Sequence, residues 1–149
     1  RENTMLFGTS SPSYPIMASI DLARAYTEGP GHAEYCRSAE TCAELRAYVQ
    51  HRTMFTALTE DHFPALDPCR LTVCTAGTDI TGHQLADTLW SECGVACEMA
   101  DDRNVVFILT GSDPNGAISR LKRGLRRISR RASCFPCRPC PHRFRPPSA

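Results

Sequence analysis

Four short strings decide the fold: LTVCTA at 71–76, TGHQLADTLWSECG at 81–94, VACEM at 95–99 and VVFIL at 105–109. The first, third and fourth are rich in β-branched and apolar residues and predict strands. The second predicts a helix with both ends marked. Thr81 and Gln84 stand at capping-box spacing, Leu85, Leu89 and Cys93 share one face, and Gly94 is placed as a C-terminal stop. Asp101-Asp102-Arg103-Asn104 predicts a turn between the last two strands. Ser112-Asp113-Pro114 then opens a final helix with Ile118, Leu121, Leu125 and Ile128 on one face. The order is β-α-β-β-α, the pattern of a small two-layer α/β domain over residues 67–131.

Outward from this domain the character changes on both sides. Residues 1–66 read as a loop followed by a helical linker. Ser13 is positioned to cap a helix with Pro15 in its first turn, and Ile16, Met17, Ile20 and Ala23 recur at helical spacing. Gly29-Pro30-Gly31 stops that helix. A second helix is expected to start between Ser38 and Thr41, where Thr41 and Glu44 again have capping-box spacing, with Leu45, Tyr48, Val49 and Phe55 as its apolar stripe. Residues 132–149 are rich in Pro, Cys and Arg, lack apolar periodicity and read as a disordered tail.

Composition narrows the class. A chain of 149 residues with 42% hydrophobic and 22% charged residues has the balance of a globular domain. Its net charge of +1 argues against nucleic-acid binding through overall charge. No run approaches the roughly 18–20 apolar residues that cross a bilayer. The start, Arg1-Glu2-Asn3-Thr4, leads into no secretory signal and is not a Met, so the chain reads as a fragment or processed product. Nine cysteines read mainly as reduced, part-buried thiols of a cytoplasmic protein, with disulfides and metal ligation as lesser readings. Of 17 basic residues Lys122 is the one lysine.

Thr9-Ser10-Ser11, set between Gly8 and Pro12 ahead of a helix, offers hydroxyl and backbone N–H donors to a phosphate or other anion; a plain capping loop is the other reading. The wider string is more specific. Ser10-Ser11-Pro12-Ser13-Tyr14 followed by Ser19-Ile20-Asp21 resembles the segment after the cofactor lysine in the pyridoxal-phosphate-dependent ornithine/lysine/arginine decarboxylase family. Further on, Asp67-Pro68-Cys69-Arg70-Leu71-Thr72-Val73 resembles the opening of that family's C-terminal domain. Gly82-His83-Gln84-Leu85-Ala86 with Leu89 resembles its Gly-x-x-Leu-Ala helix, and Val95, Glu98-Met99, Asp101, Asn104-Val105-Val106-Phe107 and Leu109-Thr110 resemble the strands that follow. The resemblance covers residues 5–130, with a weaker middle from 30 to 65.

The resemblance implies the end of the cofactor-binding major domain joined to the small C-terminal domain of an aspartate-aminotransferase-like enzyme. It implies pyridoxal 5'-phosphate as cofactor, an electron sink while carbon dioxide leaves. It also implies a basic amino acid as substrate, arginine ahead of lysine or ornithine, and a homodimer or higher homo-oligomer. By position, Ser10 and Ser11, then Thr9, become candidates for cofactor-phosphate contacts. Glu98 and Asp101 become candidates for the substrate's distal cation, and Arg70 for an anion. The sequence departs from the family where the chemistry resides: Lys122 has no preceding Ser-His and reads as a solvated charge. No catalytic residue is therefore expected in this chain, and the chain alone is expected to be inactive. Its first two helices, through Ile16, Met17, Ile20, Leu45 and Val49, are expected to lack a packing partner.

A second class of reading stands beside this one. Arg120, Lys122, Arg123, Arg126, Arg127, Arg130 and Arg131, with Arg138, Arg143 and Arg145 beyond, form a local basic run. With Cys134, Cys137, Cys140 and His142 they suggest a non-catalytic interaction module that takes nucleic acid or zinc. The zinc spacing is crowded for a metal knuckle, and the apolar face of the last helix makes its arginines a solvated side.

Overall fold

The computed structural model describes residues 13–60, 65–111, 113 and 116–134. Their elements, in order, are α1 (Tyr14–Glu28), α2 (His32–Arg52), β1 (Thr56–Ala57), β2 (Arg70–Cys74), α3 (Gly82–Cys93), β3 (Met99–Ala100), β4 (Asn104–Ile108) and α4 (Ala117–Ser129). The sheet is antiparallel throughout, in the order β1-β2-β4-β3. In its centre Leu71 pairs with Phe107 and Val73 with Val105. These four side chains are buried, while Arg70 and Ile108 are exposed. Alternation thus gives the sheet one covered face. The helices supply that cover, making the α/β two-layer arrangement with the β-α-β-β-α order that the strings at 71–109 predict.

The boundaries of α3 follow its sequence. Thr81 Oγ1 accepts from Gln84 N at 3.2 Å, and Gln84 Oε1 accepts from Thr81 N at 2.9 Å. Gly94 adopts the left-handed conformation at φ 60°, ψ 38°, which glycine enters at little cost. Two further glycines permit close packing. A Cβ on Gly82 would collide with the backbone of Asp101 and Asn104, and one on Gly124 would lie 2.6 Å from Leu89 Cδ2. The start of α3 therefore sits directly on the β3–β4 turn, and α4 lies directly against α3.

Several expectations are corrected. α2 begins at His32, six residues before Ser38, because Gly31 ends the interhelical turn and His32 onward is already helical. Thr41 is consequently inside a helix and caps nothing. Leu45 and Val49 are fully buried rather than unpartnered. They join Cys42, Phe55 and Ala57 in one core with Leu71, Val73, Leu85, Leu89, Val105 and Leu125. The core therefore crosses the expected boundary between residues 66 and 67, and α2 with β1 packs as part of the small domain. Arg46 secures this join: its Nη2 donates to the carbonyls of Asp67 at 2.9 Å and Arg70 at 2.6 Å.

Strand pairing at 95–99 narrows to Met99 and Ala100, opposite Val106 and Val105. Earlier in that run Glu98 N donates to Val106 O at 2.8 Å, and Val95 and Cys97 pack against the core. At the other end, residues 133 and 134 are not separate from the domain. Ser133 and Asp79 exchange two hydrogen bonds, 2.8 and 3.1 Å, and Cys134 bridges Thr78. The rest of the expected tail, from 135 onward, lies outside the described residues.

The exposed face of α1 is as expected. Ile16, Met17 and Ile20 are 61%, 53% and 64% exposed, and α1 buries no residue. The link to α2 is local: Tyr26 OH donates to Glu34 Oε2, and Gly31 N donates to Tyr26 O.

Candidate functional site

The turn Asp101-Asp102-Arg103-Asn104 places one pair of candidates. Asp101 Oδ1 accepts from the backbone N–H of Arg103 and of Asn104, both at 2.7 Å. The Asn104 amide donates to both carboxylate oxygens at 3.2 Å. The Arg103 N–H above all, then the Asn104 amide, favours the ionised form and holds the Asp101 carboxyl below its ordinary pKa. Asp102 O accepts from Gly82 N at 3.0 Å. Asp101 thus closes the β3–β4 turn on which α3 rests. Glu98, three residues earlier, is exposed.

Arg70 pairs on the surface with Asp67, Nε to Oδ2 at 3.1 Å. Thr9, Ser10 and Ser11 lie outside the described residues, as do Cys137, Cys140 and His142 of the suggested zinc cluster. Among the described residues no group of three or more His, Cys, Asp or Glu is arranged to hold a metal. Cys36, Cys42, Cys69, Cys74, Cys93 and Cys97 are free thiols; Cys42 is buried, and burial pushes its thiol pKa up to about 11.

Lys122 is less solvated than its sequence context predicts. Its ammonium lies 5.7 Å from the centre of the Tyr48 ring and 3.9 Å from Glu44 Oε2. Tyr48 OH in turn donates to Lys122 O at 3.2 Å. This is a helix–helix contact between α2 and α4. The described residues therefore do not fit pyridoxal phosphate: the one lysine is engaged with a tyrosine and a glutamate.

Sequence reading missed the groove beside this contact. A cavity of about 500 Å³ runs along α4, lined by Tyr48, Lys122, Arg123, Arg126, Arg127 and Arg130. Glu92 holds two cations near it, Arg127 at 2.6 Å and Arg131 at 3.2 Å. The signal was present in the basic run of α4; the contribution of Tyr48 from α2 was not legible before the helices were placed together.

The architecture matches a known one. The structure superposes on the E. coli constitutive lysine decarboxylase with a TM-score of 0.61 and 24% identity, covering 87% of this chain and 24% of that one. At this identity the likeness establishes the fold. In sequence, the chain is 25% identical to the arginine decarboxylase of Bacillus subtilis (strain 168), over 84% of this chain and 26% of that protein. No family model matches the chain. The chain is related to the ornithine/lysine/arginine decarboxylases, and it spans about a quarter of the length of the two relatives. No helix among the described residues is long and apolar enough to cross a membrane.

Proposed function

We propose that this chain is the C-terminal part of a pyridoxal-phosphate-dependent decarboxylase of basic amino acids, with arginine as the favoured substrate. The observation that carries the reading is the agreement of fold and sequence over more than four-fifths of the chain with two such decarboxylases. In this reading α1 and the residues before it complete a cofactor-binding domain, and the apolar side of α1 packs on that domain. Ser10, Ser11 and Thr9 contribute donors to the cofactor phosphate. Glu98 meets the distal cation of the substrate, and Asp101 stands beside it through the oxygen, Oδ2, that carries the Asn104 amide alone. The complete enzyme is a cytoplasmic homo-oligomer in polyamine synthesis. This chain by itself supplies no attachment lysine and does not turn over.

A chimera tests the proposal. The chain replaces the matching quarter of the Bacillus subtilis arginine decarboxylase, and carbon dioxide release is measured with arginine, lysine and ornithine. The expected result is activity in the chimera, greatest with arginine, and none in the chain alone with added cofactor. A folded chimera that is inactive on all three substrates, or an isolated chain that turns over, overturns it.

A further inference from the structure

The formal charge of +1 conceals a strong segregation. From residue 114 to the end the chain has ten Arg or Lys and no Asp or Glu, whereas residues 1–113 hold all 16 carboxylates and 7 basic residues. Such asymmetry is a physical signature of a polyanionic partner. In the structure it has a definite place. Arg123, Arg126 and Arg130 are exposed along the α4 groove, and no carboxylate of the described residues neutralises them. The cations that do have carboxylates, Arg127, Arg131 and Lys122, flank these three. Along the helix the three arginines are separated by about 4.5 and 6 Å of rise.

The lining of the groove narrows the partner. Tyr48 is its one aromatic residue, and Lys122 already covers that ring. It therefore offers neither an apolar surface for lipid chains nor a stacking platform for bases. A row of arginines along one helix, beside Tyr48 of α2, presents cations suited to the phosphates of a backbone.

We propose that the α4 groove binds the phosphodiester backbone of single-stranded nucleic acid, without regard to sequence, through Arg123, Arg126 and Arg130. This activity is separate from decarboxylation and stands whether or not that reading holds. Binding releases condensed counterions, so it weakens steeply with salt. Three to four neutralised phosphates give a log–log slope of about −2 to −3 on a single strand.

The test uses the full chain and a fluorescent oligodeoxythymidylate of about 20 nucleotides, read by anisotropy. Raising the salt from about 50 to 200 mM is expected to weaken binding by roughly 16- to 60-fold. The triple variant R123Q/R126Q/R130Q is expected to lose about two units of slope and most of the binding at low salt. The matched variant R123K/R126K/R130K keeps the slope, which separates charge from packing, and a thermal melt of each confirms folding. No binding at low salt overturns the proposal. Binding that survives in the glutamine variant overturns it also, since the strand would then sit elsewhere on the chain. Equal competition by polyglutamate of the same charge assigns the groove to an acidic protein segment and likewise overturns it.

Discussion

The helices α1 and α2 lie side by side in the sequence, separated by Gly29-Pro30-Gly31, and meet opposite fates. α1 carries the richer apolar set, Ile16, Met17, Ile20 and Leu22, yet buries none of it. α2 is dominated by polar and charged residues, yet Cys42, Leu45 and Val49 are fully buried. Burial here is decided by what a helix faces. Residues at 42, 45 and 49 form a narrow stripe, and the chain immediately after α2 returns through β1 to the sheet that this stripe covers. α1 has only its link to α2 within the described residues, so its apolar side remains outward.

This contrast can be tested by mutation. The largest effect is expected at Leu45→Ala, which removes a fully buried side chain and should cost about 2–5 kcal/mol in chemical denaturation. A loss below about 1 kcal/mol would break the contrast, because it would place α2 outside the cooperative core.

Next is the pH dependence of Cys42. Its folded-state pKa is raised from 9.0 to about 11 by burial. The native state then keeps its proton where the unfolded state has lost it. The associated stability is complete below pH 9 and falls as pH rises toward about 11. Denaturation at pH 8 and pH 11 should show this decline, and Cys42→Ala should lessen it.

A smaller difference separates the two N-termini. Thr81→Ala breaks the capping box of α3 and should cost about 1 kcal/mol. Ser13 makes no side-chain cap on α1, so Ser13→Ala should change the thermal midpoint negligibly. Smallest in stability is Ile16→Ser with Ile20→Ser, within about 0.5 kcal/mol. That pair should nonetheless reduce self-association of the isolated chain in sedimentation, since it removes exposed apolar surface. A chain that is monodisperse before the change would remove the case for α1 as a docking face.

The same contrast marks what the sequence made legible. Thr81, Gln84 and Gly94 act within one helix, and the alternation at 71–74 and 105–108 acts within one strand; local chemistry settles both. The start of α2 was misread because Thr41 and Glu44 have the spacing of a cap without its backbone, and the helix had already begun at His32. β1 has two residues, too few to carry a period. The burial of Leu45 and Val49 depends on a non-local return of the chain. Asp101 shows the limit for sites. A carboxylate next to Asn104 in a turn is read equally well as a ligand or as a closure, and its hydrogen bonds give it the second role at least. The α4 arginines were legible as charge, but their groove needed Tyr48 from a helix about 70 residues earlier.

The sheet has a final consequence for how copies of this chain meet. Both of its edges, β1 and β3, are two residues long. An edge that short offers an incoming strand very few free N–H and C=O groups, and this shortness is a known safeguard against ladder growth between molecules. Contacts between copies are therefore steered away from backbone pairing, and toward the side chains of α1.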